Sequence, residues 1–204
     1  MKRGGCLSWM RGGLIISADR SGGSASSARE PVRDESDDAS REHVRESSLG
    51  RFRLTAPAHL LSLGFGSGLF PWAPGTIGTL WAWCVFVALE DWLEPQHWLA
   101  LVAASFLIGI WACGRTARDV GVSDHSAIVW DEVVAFWLVL AFLPTDWFSQ
   151  LVAFGIFRFF DIAKPPPIGY FDARLKGGFG IMFDDLLAAF FTLLLFAAWR
   201  AAGF

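Results

Sequence analysis

The chain contains few charged residues for its length. Of its 204 residues, 18% are charged and 53% are hydrophobic, whereas a soluble domain typically carries about 25% charged residues. With a net charge of −3 and no basic stripe, the sequence argues against a nucleic-acid-binding surface. The apolar excess predicts an integral membrane protein, with a very hydrophobic soluble helical protein as the alternative.

Cysteine is also sparse, and its spacing excludes two common kinds of site. Cys6, Cys84 and Cys113 are an odd number of widely separated residues, so they form neither a paired zinc motif nor a disulfide framework. The apolar run 14–16 is too short for the hydrophobic region of a signal peptide. We therefore expect inert cysteines and no cleaved targeting segment.

Large apolar side chains are almost missing from residues 17–51, which consist mainly of serine, arginine, aspartate and glutamate. Such a segment buries too little surface to offset the entropy lost on ordering. We predict a disordered tail over residues 1–53 and a membrane domain over residues 54–204. The acidic run around Asp34 and Asp38 is interpreted as a solvated charge run rather than a metal site.

No apolar run reaches twenty residues without interruption, although a bilayer core of about 30 Å requires about 20 helical residues. Five shorter apolar segments are present, at 77–89, 98–113, 133–143, 147–160 and 186–199. The third is expected to extend back to Ala127 and the fourth forward to Ala163, while Ala58–Leu63 adds an amphipathic or re-entrant helix. The predicted fold is all-α: a multi-pass membrane helical bundle with short spanning helices and a re-entrant or amphipathic glycine-rich segment.

Tyrosine occurs once, at Tyr170, but the chain has eleven tryptophans and nineteen phenylalanines. Aromatic rings collect where a membrane helix passes from water to hydrocarbon. This composition therefore supports the membrane interpretation.

Basic residues are absent from the connections 90–97 and 144–146. They occur instead on the alternate connections, as Arg51 and Arg53, as Arg115 and Arg118, and as Lys164, Arg174 and Lys176. Short cytoplasmic loops collect lysine and arginine, so the basic side is predicted to be cytoplasmic. Arg200 is the exception to this pattern.

Acidic residues on the basic side adjoin three of the apolar segments. These residues are Asp131 with Glu132, Asp161, and Asp184 with Asp185. Acids at membrane helix ends are costly unless they are paired or bind a metal. Three helix ends that meet at one face would gather several carboxylate oxygens, which are the ligands that Mg²⁺ prefers.

Simpler roles are open for each of these acids. Asp184 and Asp185 suit a helix N-cap, and Asp161 lies three residues from both Arg158 and Lys164, within reach of a helical ion pair. Adjacent acids on a helix point about 100° apart, so we expect only one member of such a pair to bind a metal directly.

Two glycine-rich runs precede apolar segments, at 64–79 and at 177–180. Small residues let backbone amides approach an anion, and Thr76 and Thr79 stand where they can cap or line a helix N-terminus that favours phosphate. The first run lacks the Gly-Lys-Ser/Thr of a Walker loop. A re-entrant turn or close helix packing is the other interpretation of both runs.

Only one histidine, His125, falls within the candidate active loops. It is either a structural histidine or a proton donor to a leaving alkoxide. The chain has no Asp-x-Asp-x-Thr nucleophile and no cysteine followed six residues later by arginine. The sequence therefore favours metal-activated water over a covalent phosphoenzyme.

Several uncommon motifs occur in a fixed order between Ala58 and Phe196. They are Gly64–Gly68 with Pro74–Gly78, His125 with Ile128–Glu132, Phe157 and Arg158 with Asp161, Lys164–Ile168 with Phe171 and Asp172, and Gly177–Asp185. Together they resemble the phosphatidylglycerophosphatase A family. The Asp-x-x-Asp-Gly-x-x-Ala-Arg signature of membrane phosphotransferases is absent.

The resemblance implies a magnesium-dependent, multi-pass enzyme of the bacterial inner membrane that converts phosphatidylglycerophosphate to phosphatidylglycerol and inorganic phosphate. It implies an active site on the cytoplasmic face. Metal binding is then expected of Asp131, Glu132, Asp161, Asp184 and Asp185, phosphate binding of Thr76, Arg158 and Lys164, and water activation and leaving-group protonation of Asp172 and His125. The alternative is a small membrane transporter or structural protein without enzymatic activity.

Overall fold

The computed structural model describes residues 49–122 and 125–202, and all regular secondary structure in these residues is helical. The elements are α1 (Pro57–Ser62), a 3-10 helix (Gly64–Leu69), α2 (Pro74–Leu89), α3 (Pro95–Val120), α4 (Trp130–Ala141), α5 (Trp147–Ala163), α6 (Ile168–Arg174) and α7 (Gly177–Ala201). Most of the expected disordered tail, including its acidic run and Cys6, lies outside the described residues.

Local sequence signals set several of the helix boundaries. Proline stands in the first turn of α1, α2 and α3, where its missing N–H removes no intrahelical hydrogen bond. Asp146 caps α5 by accepting a 2.8 Å hydrogen bond from the backbone N–H of Ser149, and this bond lowers the pKa of Asp146. Helix α3 ends at Val120, and the next residue, Gly121, adopts the left-handed conformation with φ 78°.

Two of the helices are longer than the apolar segments predicted. Helix α3 has 26 residues and α7 has 25, and both are long and apolar enough to cross a membrane. They extend beyond the apolar runs because the helix continues through polar residues such as Arg115 and Asp184. The fourth predicted helix ends at Ala163 as expected. The third begins at Trp130, so the prediction of a start at Ala127 is wrong.

Helix α4 occupies the middle of the bundle and packs against α2, α3, α5 and α7. Its 12 residues span about 18 Å, and residues on all its faces are buried, with Val133, Phe136 and Val139 fully so. By contrast, α3 and α7 expose large apolar side chains such as Leu107 and Phe190. A central apolar helix and outward-facing apolar surfaces are the features of a multi-pass membrane bundle.

Tryptophans divide between the core and the surface, so the expected concentration at helix ends holds for only some of them. Trp98, Trp130 and Trp137 are buried, and the indole N–H of Trp137 donates to the carbonyl oxygen of Ala82 at 2.9 Å. Trp92, between α2 and α3, and Trp147, the first residue of α5, lie at the same end of the bundle and are more than two-thirds exposed. Some indole rings therefore pack in the core, whereas others lie on the surface at one end of the bundle.

Candidate active site

A cavity of about 470 Å³ lies near the end of the bundle opposite Trp92 and Trp147. Elements α2, α4, α5, α6 and α7 and the connection before α4 contribute to its walls. It is lined by all ten residues that the sequence singled out: Thr76, His125, Asp131, Glu132, Arg158, Asp161, Lys164, Asp172, Asp184 and Asp185. We call it the carboxylate cavity, because six acidic side chains and only three basic ones line it.

Three carboxylates from three helices approach one another most closely. Glu132 of α4, Asp161 of α5 and Asp185 of α7 each present an oxygen, and these oxygens lie within 4.8 Å of one another. We call these residues the acidic triad. Asp131 and Asp184, the neighbours of two triad members, also line the cavity. One acid of each adjacent pair therefore joins the triad, in keeping with the 100° that separates neighbouring residues on a helix.

The acids of α7 do not cap their helix. Helix α7 begins at Gly177, so Asp184 and Asp185 lie about two turns, or about 10 Å, beyond its first residue. Both are buried. The N-cap interpretation is therefore wrong: the two acids of α7 lie within their helix, whereas Glu132 lies in the first turn of α4 and Asp161 in the last turn of α5.

Arg158 joins two members of the acidic triad. Its Nη1 donates to Oε1 of Glu132 at 3.0 Å and also to Oδ2 of Asp161. The same nitrogen lies 3.4 Å from Oγ1 of Thr79. A simple pair between Arg158 and Asp161 was one sequence-based interpretation; the pair exists, but it is part of a cross-link between α5 and α4.

Lys164 closes another side of the cavity. It directly follows α5 and adopts a left-handed conformation, with φ 40°. Its Nζ contacts Asp184 directly and lies 3.4 Å from Oδ1 of Asp172. Burial by itself would lower the pKa of Lys164, but Asp184, Asp185 and Asp172 outweigh it and raise that pKa. Lys164 is therefore a permanent cation at neutral pH.

Several carboxylate oxygens in the cavity are suited to a metal ion. Oδ1 of Asp131, Oε2 of Glu132 and Oδ2 of Asp185 are buried without a hydrogen-bond partner among the described residues. Burying such oxygens without a partner is costly. A hard divalent cation would satisfy them, since Mg²⁺ binds through a few carboxylates and completes its shell with water and phosphate oxygens.

The glycine runs serve close packing next to the cavity. A Cβ at Gly75 would overlap the carboxylate of Glu132, and one at Gly178 would overlap the carbonyl oxygen of Ile110 in α3. The first overlap shows that a side chain at position 75 of α2 would displace the carboxylate of a triad member. Gly75 and Gly180 also line the cavity, so the packing and ligand-binding interpretations of these runs are compatible.

The two threonines of the first run have different positions. Thr76 lines the cavity. Thr79 is fully buried and donates from its hydroxyl to the carbonyl oxygen of Gly75 at 2.9 Å. Neither caps α2, whose N-cap is Ala73 without a side-chain hydrogen bond.

His125 and Asp172 line the remaining walls. The backbone N–H of Ala127 donates to Nδ1 of His125 at 3.0 Å, so the proton of the neutral ring is on Nε2. Asp172 is more exposed, with 41% of its side chain accessible. Sequence reasoning did not select Ser126 or Ile162, which also line the cavity; Ser126 adjoins His125, whereas nothing in the sequence marks Ile162.

Comparison with known proteins places the chain in a family. The sequence model of phosphatidylglycerophosphatase A matches residues 60–200. The chain is 48% identical over 152 residues to a phosphatidylglycerophosphatase A of Haemophilus influenzae, an alignment that covers 74% of this chain and 93% of the relative. It is 44% identical over 145 residues to a phosphatidylglycerophosphatase A of Escherichia coli, covering 71% of this chain and 84% of the relative.

A third relative, from Bacteroides thetaiotaomicron, is named provisionally as a phosphatidylinositol-3-phosphatase. It is 38% identical over 148 residues, covering 69% of this chain and 92% of the relative. No solved structure matches the chain. With a family model that matches most of its length and two relatives well above 40% identity, the chain belongs to the phosphatidylglycerophosphatase A family.

Proposed function

We propose that the protein hydrolyses phosphatidylglycerophosphate to phosphatidylglycerol and inorganic phosphate as a step of phospholipid biosynthesis. The observation that carries the proposal is the carboxylate cavity, in which acids from three helices meet Arg158 and Lys164. This combination suits a phosphomonoester that binds together with a divalent cation. Membership of the phosphatidylglycerophosphatase A family supports the same activity.

The cation in this proposal is Mg²⁺. The acidic triad would hold it, with Asp131 and Asp184 as the neighbouring carboxylates, and the partnerless oxygens of Asp131, Glu132 and Asp185 support this choice. When bound, such an ion supplies Lewis acidity and lowers the pKa of coordinated water. The residues of the chain then have three tasks: to bind the phosphate, to orient the attacking water and to protonate the leaving group.

Phosphate binding falls to Lys164, Arg158 and the Thr76 loop. Lys164 carries a permanent charge and faces the cavity. Arg158 is held by Glu132 and Asp161, which fixes its guanidinium at the edge of the acidic triad. Thr76 lies in the first turn of α2, where backbone N–H groups and the helix dipole favour an anion.

Asp172 and His125 are proposed to transfer protons, Asp172 from the attacking water and His125 to the leaving group. Asp172 would accept a proton from the water as its oxygen bonds to phosphorus. His125 would give its Nε2 proton to the glycerol oxygen as the bond between that oxygen and phosphorus breaks, and the proton held by Asp172 would then return to Nε2 of His125 through water. The half-exposed position of Asp172 and the Nδ1 hydrogen bond of His125 support these assignments.

The proposed location is the bacterial inner membrane, with the cavity at the cytoplasmic headgroup level. The basic residues of the sequence pattern, among them Arg115, Arg118 and Lys176, belong to the end of the bundle that carries the cavity. A phospholipid in the bilayer would then present its terminal phosphate to the cavity without leaving the membrane. Membership of the phosphatidylglycerophosphatase A family disfavours the alternative of a transporter or structural protein.

Phosphate release from phosphatidylglycerophosphate in mixed micelles tests the proposal. The purified protein should release phosphate with Mg²⁺, lose this activity in a chelator and regain it when Mg²⁺ is restored. A chelator-resistant activity would contradict the magnesium assignment, and no phosphate release at all would contradict the proposed function. A phosphatidylinositol 3-phosphate substrate under the same conditions measures selectivity.

A further inference from the structure

Residues just before the family match hold the connection that carries His125. We call Arg51–Ser62 the N-terminal strap. The family model begins at residue 60, so most of the strap precedes it. From the strap we infer that Phe52 is a positioning residue that acts through His125, an inference that rests on the proposed function.

The strap holds the start of the connection between α3 and α4. Nη1 of Arg51 donates to the carbonyl oxygen of Val120, the last residue of α3, at 2.7 Å. Gly121 follows in a left-handed conformation, and a Cβ there would lie 3.4 Å from the same nitrogen of Arg51. Arg51 of the strap therefore fixes the direction in which the chain leaves α3.

The strap also holds the end of this connection. The backbone N–H of Val129 donates to the carbonyl oxygen of Ser62 at 2.9 Å, and the hydroxyl of Ser62 donates to Oγ1 of Thr116 at 2.9 Å. Both ends of residues 121–129 thus rest on the strap. His125 lies between these two attachment points, and its ring makes a further contact with the strap.

Phe52 supplies that contact. Its ring meets the His125 ring edge to face, with 5.0 Å between centroids and 76° between planes. His125 is 3% exposed, and its ring is also fixed by the N–H of Ala127 on Nδ1. One phenyl ring therefore helps set where the Nε2 proton of His125 stands in the cavity.

Phe52 is itself anchored by a second histidine. It packs edge to face on His59, with centroids 6.0 Å apart. The backbone N–H of Arg53 donates to Nδ1 of His59 at 3.0 Å, and Nε2 of His59 lies 3.2 Å from Oδ2 of Asp119. His59 thus accepts from the backbone of the strap through Nδ1, faces Asp119 through Nε2, and bridges the strap to α3.

A double-mutant cycle tests the inference in the full-length protein, with phosphate release from phosphatidylglycerophosphate micelles as the readout. Phe52→Ala should lower kcat by about tenfold and change KM by less than about twofold, since small misplacements of a reacting group reduce the rate of the chemical step. Phe52→Tyr should restore most of the activity because it keeps the ring. In a His125→Gln background, Phe52→Ala should cost less than about twofold more.

Three results would overturn the inference: an unchanged kcat in Phe52→Ala, failure of Phe52→Tyr to restore activity, or the same tenfold loss in the His125→Gln background. The last result would mean that Phe52 acts on the fold rather than through His125. A wild-type protein without activity would instead refute the proposed function. An active wild type with independent effects at the two positions would refute only the inference about Phe52.

Discussion

Nη1 of Arg158 lies 3.0 Å from Oε1 of Glu132, and each of these side chains is 13% exposed. Because Arg158 also binds Asp161, it remains paired when either acid alone is neutralised. This matters for mutagenesis, since removing the sole partner of a buried charge typically costs about 3–5 kcal/mol. A loss of activity in a single triad variant therefore reports on the reaction, because Arg158 keeps an acidic partner and is not left as an unpaired buried charge.

Neutralising a triad acid should abolish most of the activity. Glu132→Gln, Asp161→Asn and Asp185→Asn keep the side-chain size but remove a charge that a Mg²⁺ site requires, so phosphate release should fall by at least about a hundredfold. Glu94→Gln and Asp146→Asn are matched controls, because both acids are exposed at the other end of the bundle. Near-normal rates in correctly inserted triad variants would rule out the metal site.

Mg²⁺ should also stabilise the protein, a readout independent of catalysis. A ligand that binds only the folded state raises the midpoint of thermal unfolding. We expect the midpoint in detergent to rise with Mg²⁺ in the wild type and to stay unchanged in Asp185→Asn. An equal rise of the unfolding midpoint in both proteins would show that Mg²⁺ binds at a site other than the acidic triad.

The packing of Gly75 against Glu132 gives a third prediction. Gly75→Ala places a methyl group within the space of the Glu132 carboxylate and should lower kcat by at least about tenfold through displacement of a metal ligand. Gly155→Ala is the control, because a Cβ there meets no atom within 4 Å. Comparable activity in the two variants would show that Glu132 tolerates displacement.

The strap defines how much of the N-terminus is dispensable. A chain that begins at Arg51 keeps the contacts to Val120 and His125 and should retain at least about half of the wild-type kcat. A chain that begins at Leu54 lacks Arg51 and Phe52 and should lose about tenfold. The comparison is made on inserted protein, by phosphate release, and equal activity of the two truncated chains would contradict a role for these residues.

Membrane topology can be checked by cysteine labelling in a variant that lacks the three native cysteines. A cysteine at Gln96 should react with an impermeant reagent added from the periplasmic side, and one at Arg174 only from the cytoplasmic side. Both positions are exposed, and they belong to opposite ends of the bundle. The opposite labelling pattern would reverse the proposed orientation.

Much of the candidate site was predictable from the sequence because its chemistry requires rare residues in an apolar context. An acid beside an apolar membrane segment costs free energy unless it belongs to a functional site. A glycine in a helix is destabilising unless close packing or a special backbone conformation requires it. The acids singled out on this basis all line one cavity. The helix boundaries were less predictable, since apolar runs do not reveal that α3 and α7 continue through Arg115 and Asp184.

The apolar, helix-forming character of the chain, its family and ten of the residues that line the carboxylate cavity could be derived from the sequence by itself. The tertiary structure decided which member of each acidic pair joins the triad, because that depends on how α4, α5 and α7 are rotated against one another. It also decided that Phe52 contacts His125, 73 positions further along the chain. A contact between residues so far apart in sequence leaves no local pattern, because it is set by packing rather than by periodicity or propensity.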